Sequence, residues 1–317
     1  MSTMSIRTVL FSLTACLLLF TPSRAQPRIT SGTVALDADG TVRVGNHEGS
    51  ITIEAWDRDE VKYKAVVRPE SDADHPEATV VRVDETPGRF AMRTEYDDSM
   101  TDGGSGWFGS SSQNIMPVEY TLTVPRGAHV EIEDHESDIQ VAGLDGPVRI
   151  DTHDGSVMLR AQAGDAEVNS HDGPITVEEQ SGSLAIDTHD SRIRLRSIRG
   201  RTEIDAHDSR IEGEGVRGGL RIDTHEGEAR LSFVEVTDDV EINTHDGDFV
   251  LMVSGDTGFD LHTDFDDDAA LTADFDLSPY RITTEDEDKV NYSGQVNGGG
   301  KRLDLRAHDG SFEIRMR

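Results

Sequence analysis

Cysteine, cationic side chains and long apolar runs are all scarce in this sequence, and each scarcity excludes something. The one cysteine, Cys16, sits in the N-terminal apolar stretch. The rest of the chain therefore has no disulfide framework and no thiol nucleophile, and its stability has to come from packing. Lysine and arginine number 30 against 62 aspartates and glutamates. That balance argues against nucleic acid as a partner, because phosphate binding draws on clustered cations, whereas divalent cations would be attracted. Nothing after Phe20 approaches the ~18 apolar residues that span a bilayer, so no transmembrane segment is expected in the mature protein. No segment has the 3.6-residue period of an amphipathic helix, and Gly and Asp interrupt the chain too often to permit one.

The opening residues, MSTMSIRTVLFSLTACLLLFTPSRAQ, have the form of a secretory signal peptide. Arg7 supplies the positive region, residues 9–20 the short apolar core, and Ser23-Arg24-Ala25 the small-x-small cleavage site. Cleavage after Ala25 is expected, which exports the protein to periplasm, cell surface or medium. It removes Arg7 and Arg24 and leaves a net charge of 28 − 62 = −34. Leu13-Thr14-Ala15-Cys16 resembles a lipobox, but Cys16 lies within the apolar core and would leave LLLF on the mature end.

What is abundant is repetition. His135, His153, His171, His189, His207 and His225 are spaced by 18 residues, and His245 follows after 20. Ile132, Ile150, Val168, Ile186, Ile204, Ile222 and Ile242 keep the same step, as do Ile139, Val157, Ile175, Ile193, Ile211, Ala229 and Phe249. Each unit thus carries two short strands of period two. In VRIDTHDGSVMLR, Val148, Ile150, Thr152, Val157 and Leu159 face one way, and Arg149, Asp151, His153, Met158 and Arg160 the other.

Two arrangements fit such strands. Asp-Gly between alternating runs signals a hairpin, but a meander of hairpins leaves one broad apolar face with nothing to cover it. If each unit is instead one full coil, strands stack in parallel ~4.8 Å apart and two sheets bury each other. The outward column Glu131, Arg149, Glu167, Ala185, Glu203, Arg221, Glu241 changes sign in the manner parallel neighbours prefer. The expected fold is an all-β parallel β-solenoid of 18-residue coils with two strands each. Residues 26–128 are read as entry coils and cap with a long flexible loop near 70–116, and 129–317 as the repeats. Trp56 is expected to pack in the entry coil, and Trp107 with Phe108 lies in the Gly/Ser loop. After His245 the pattern drifts, then recovers in KRLDLRAHDGSFEIRM.

The strings VRVGNHEGSITIEAWDRDEV at 42–61 and YTLTVPRGAHVEIEDHESDIQVAGLDGPVRIDTHDGSV at 120–157 resemble the putative adhesin family of bacterial envelope proteins, a β-solenoid domain of unknown function. The resemblance implies a parallel solenoid at an envelope or surface and no established activity. That family commonly has Asn, Ser or Thr where this chain keeps His-Asp.

The repeated His-Asp pairs can be read in several ways. Asp, Gly and Ser serve a bend, Thr fills a small inner corner and His covers the edge, all copied by duplication. Imidazole with carboxylate also suits zinc and other divalent transition metals, which makes His153, Asp154, His171, Asp172, His189, Asp190, His207, Asp208 and His225 candidate metal ligands. Calcium is disfavoured, since the glycine-aspartate nonapeptide is absent and imidazole is a poor ligand for a hard cation. A pH-sensing column is a third reading. Some solenoids cleave polysaccharides with paired acids, yet no nucleophile or base stands apart from the repeats. The primary expectation is therefore a non-enzymatic structural or adhesin-like protein that needs no cofactor. Its expected partners are envelope components, polysaccharide or divalent cations, the alternatives being a metal-binding surface protein and a polysaccharide-active enzyme.

Overall fold

The computed structural model describes residues 26–69, 78–96, 116–283 and 289–317. The signal peptide expected at 1–25, with Cys16, and the Gly/Ser run with Trp107 and Phe108 lie outside the described residues. Within those residues the protein is all β, with a single 3₁₀ turn at Ser278–Tyr280. No helix among them is long and apolar enough to cross a membrane.

The repeats stack in parallel. Strand Val148–Thr152 lies between His129–Glu133 and Ala166–Asp172, and strand Val157–Arg160 lies between Glu136–Ala142 and Ile175–Glu178. Ile150 pairs with Ile132 and Val168, and Val157 pairs with Ile139 and Ile175. Each apolar column of the sequence is therefore a column in space. Val148, Ile150, Thr152, Val157 and Leu159 are buried, while Arg149, His153, Met158 and Arg160 are exposed. Both apolar columns belong to one hydrophobic cluster that runs from Leu36 to Ile314, so the inward, apolar faces of the strands cover one another.

Two backbone devices turn each coil. Gly143, Ala161, Glu179, Ser197 and Gly215 occupy the left-handed region, with φ between 53° and 78°. The three non-glycine residues hold that corner at a cost of roughly 1–2 kcal/mol each, which the stacked neighbours impose. The next residue then points inward, and Leu144, Gln162, Gln180, Ile198 and Val216 are buried. Gln162 is satisfied there, donating to the carbonyls of Val141 at 2.9 Å and Arg160 at 3.1 Å and accepting from the Leu144 amide. Two residues further on, Gly146, Gly164, Gly182, Gly200 and Gly218 form a column in which a Cβ on each of the last four would collide with the carbonyl oxygen of the glycine before it.

At both ends the stacking order departs from the chain order. Thr41–Gly45 and Glu48–Trp56 lie directly on His129–Glu133 and Glu136–Ala142. Outside them sit Arg89–Tyr96 and Val118–Pro125, again parallel. Antiparallel strands follow: Glu60–Val67 on Val118–Pro125, Arg28–Ala35 on Glu60–Val67, and Thr79–Thr86 on Arg89–Tyr96. Part of the stretch expected as a long loop near 70–116 is thus a hairpin, 79–96. Its alternation buries Phe90 and Met92 against the core, and the Pro87-Gly88 turn joins its strands. Trp56 is half-buried; its indole nitrogen donates to the Glu60 carbonyl at 2.8 Å and Arg58 covers its ring.

At the C-terminal end Val240–Val253 pairs with Lys301–Met316, which is inserted between it and Phe259–Ala273. Ile242 meets Leu305, and Phe249 meets Phe312. The sequence pattern recovers at 301 because that segment is the next coil in space.

Candidate functional site

Each Asp-Thr-His-Asp run places one threonine or small residue inward at the end of a strand and leaves the following His and acid at the edge. The inner hydroxyls brace the bend. Thr188 Oγ1 is 2.5 Å from Ser191 Oγ, Ser170 donates to the Asp172 carbonyl, and Thr224 donates to the Glu226 carbonyl. Gly173 and Gly310 take φ of 119° and 130° at this bend.

The register turns the histidines into one stack. His47, His135, His153, His171, His189, His207, His225 and His245 follow one another with ring centroids 4.7–5.1 Å apart and interplanar angles of at most 11°. His308 ends the stack edge-on, at 62° to His245, because its Nδ1 is hydrogen-bonded to Asp266 at 2.8 Å. That bond, followed by nearby acids, raises the His308 pKa above the ordinary imidazole value.

All nine residues singled out from the sequence lie on this edge. His47 was missed by the period, since it precedes His135 by 135 − 47 = 88 residues, not a multiple of 18. The signal was present in its own Asn-His-Glu-Gly, but the interposed strands broke the count.

Along one side of the stack runs a column of acids, each beside the ring of its own coil. Nδ1-to-carboxylate distances are 3.5 Å for His135 and Glu136, 2.9 Å for His153 and Asp154, 3.1 Å for His171 and Asp172, 3.3 Å for His189 and Asp190, and 3.3 Å for His207 and Asp208. Asp172 aligns with Asp190, Asp208 with Glu226, and Glu226 with Asp246. Arginines neutralise the acids of the sheet faces, as in Arg149 with Glu167 at 2.5 Å, Arg210 with Glu228 at 2.8 Å and Arg194 with Glu212 at 3.3 Å. Among the described residues, no arginine or lysine pairs with the acids next to the stacked histidines from Glu136 to Asp246, whose neighbours are the imidazoles, whereas Asp266 beside His308 also pairs with Lys289.

On the other side the rings wall an open groove of about 1110 Å³ that spans the coils from Glu133 to His308. Its facing column is Asp151, Asn169, Asp187, Asp205, Asp223 and Asn243. Asn169 donates to Asp151 and Asn243 donates to Asp223, each at 2.6 Å. Asp205 has acids on both sides. Partial desolvation first, then Asp187 and Asp223, hold the carboxyl of this exposed residue above the usual range. A raised carboxyl stabilises the fold below the ordinary Asp range, and that contribution is lost as pH rises through the folded value. At pH 7 ionised Asp205 therefore opposes folding. Asp205→Asn, which copies the Asn169 arrangement, is expected to gain a few tenths of a kcal/mol at pH 7, solvent screening limiting the repulsion at so exposed a carboxyl, and nothing at pH 3, as read by urea unfolding at both.

None of the curated proteins matches the chain. Solved structures similar to it include the following two. One is a putative cell adhesion protein from Clostridium sporogenes ATCC 15579, at 10% identity over 92% of this chain and 100% of that chain, with a TM-score of 0.21. The other is a putative adhesin from Bacteroides fragilis NCTC 9343, at 8% identity over 90% of this chain and 97% of that chain, with a TM-score of 0.41. The model of one family covers residues 41–315, from the first parallel strand of the stack almost to the last residue of the inserted C-terminal strand, and by that match the chain belongs to the Toastrack DUF4097 family.

Proposed function

We propose that this protein is an exported, non-enzymatic, adhesin-like element of the cell envelope that holds its partner along the imidazole-walled groove. The observation that carries this reading is repetition: an acid or amide, a small residue, His and an acid recur coil after coil at a ring spacing of 4.7–5.1 Å. An active site is one constellation of distinct residues, whereas equivalent groups in a row suit a partner that is itself a repeating polymer, because linked weak contacts multiply. Imidazole edges and the facing column of carboxylates and amides suit the hydroxyls of an envelope polysaccharide. In this reading residues 1–25 direct export, 26–128 form the entry coils and cap, and 129–317 form the repeat array of 18-residue coils.

Pull-down of the mature protein on an immobilised neutral glucan and on a polyuronate tests the proposal. Retention is expected to fall stepwise as one, three and then five of the central histidines are replaced by serine. Failure to retain the protein on either polymer would count against it. So would turnover of either polymer that a single Asp substitution abolishes in a folded variant, which is the behaviour of an enzyme.

A further inference from the structure

We infer that the edge behind the histidine stack is a row of divalent transition-metal sites, each built from one imidazole and two carboxylates contributed by adjacent coils. Two such sets do not overlap. His135, Glu136 and Asp154 form one, and Asp172, His189 and Asp190 the other; in each, the ligand atoms lie within 4.8 Å of one another. Within a coil the Nδ1-to-carboxylate distances of 2.9–3.5 Å bracket the ~3.4 Å that two ligands at ordinary zinc bond lengths subtend in a tetrahedral shell.

Ring orientation fixes the ligand ratio. An imidazole lone pair lies in the plane of its ring, so parallel rings stacked at 4.7–5.1 Å aim their nitrogens side by side and not at a common point. One ion thus takes one imidazole, and its remaining ligands come from the acid next in sequence, the aligned acid of the neighbouring coil and water. The set His153, Asp154 and His171 would need two converging imidazoles and shares Asp154 with the first set, so it does not fill independently.

A second observation points the same way. His171 Nδ1 and Asp172 Oδ1 are 3.1 Å apart, yet Asp172 Oδ1, shielded from solvent, makes no hydrogen bond in the structure, and the same is true of His135 Nδ1 and Asp246 Oδ1. Shielded polar atoms are normally hydrogen-bonded. Here all three lie in the column beside the stacked rings, where the acids next to the histidines from Glu136 to Asp246 have no arginine or lysine ion pair among the described residues. Mixed nitrogen and oxygen ligands select zinc and its first-row neighbours over calcium, which prefers six or more oxygens.

The inference is independent of the groove reading, since the two acid columns lie on opposite sides of the rings and glycan retention can be measured in chelator. Calorimetric titration of the mature protein with zinc chloride at pH 7.5 is expected to give about two saturable sites per chain in the micromolar range, with no comparable heat from calcium chloride. His135→Ser is expected to remove one site, and H135S/H189S to weaken zinc uptake at least tenfold, whereas His207→Ser leaves both sites. Circular dichroism checks the fold of each variant. Should the double serine variant unfold, Glu136→Gln with Asp190→Asn provides the same test, and cobalt(II) absorption in the visible reports the ligand set directly. No zinc uptake at micromolar concentration would overturn the inference. Uptake unchanged in H135S/H189S, or reduced equally by every histidine substitution, would overturn it as well.

Discussion

Gly200→Ala is expected to destabilise the protein by about 3 kcal/mol, the upper part of the range for forcing a methyl group into a packed site. A Cβ at this position would fall within the van der Waals envelope of the Gly182 carbonyl oxygen, with the Gly182 carbonyl carbon and the Ser181 carbonyl oxygen, at 3.0 Å, close beside it. All the neighbours are backbone, so no rotamer change can relieve the collision. Spacing set by inter-coil hydrogen bonds at 2.8–2.9 Å, such as Leu184 to the Arg201 carbonyl and Thr202 to the Gly219 carbonyl, resists a local parting of the coils. Conformational preference is not the cause, because Gly200 is absent from the positive-φ glycines. The check is chemical denaturation of the variant, with Gly298→Ala as the contrasting control. At Gly298 nothing lies within 4 Å of the added carbon, and the only penalty is its φ of 89°. A Gly200→Ala protein as stable as the parent would mean that the coils are not in contact at this corner.

Phe312→Ala is expected to cost about 3–5 kcal/mol, the usual range for truncating a buried aromatic. Phe312 is 1% exposed and stacks between Phe249 at 5.1 Å and Phe265 at 5.5 Å. Its strand, Lys301–Met316, is held on one side by Val240–Val253 and on the other by Phe259–Ala273. The cavity therefore weakens two interfaces at once. Since solenoid coils contact only their neighbours, the loss should stay local: hydrogen exchange is expected to quicken across residues 240–317 while residues 129–196 keep their protection. Uniform quickening along the chain would show instead that the stack unfolds as one cooperative unit.

The two substitutions also separate what the sequence discloses from what it conceals. The inward columns through Ile150 and Val157, the outward alternation of Glu131, Arg149 and Glu167, and the shared edge of the central histidines were all legible, because a period-two strand repeated at a constant step specifies both the buried face and the parallel register. The Gly164, Gly182, Gly200 column keeps that same step, yet its meaning was hidden, since the need for glycine arises from a carbonyl one coil away. His47 and the hairpin 79–96 were concealed by interposed chain, which breaks the count without breaking the stack.

The sequence by itself determined the all-β class, the parallel coil and the composition of the edge, because an alternating pattern copied at a fixed interval leaves only one way to bury every apolar face. Tertiary structure alone decided the order of the end coils, with Thr41–Gly45 seated on His129–Glu133 and Lys301–Met316 inserted beneath Phe259–Ala273. It also decided the angle at which the rings meet. Both depend on contacts between segments far apart in the chain, whose energies are set by which surfaces remain uncovered once the regular coils have formed.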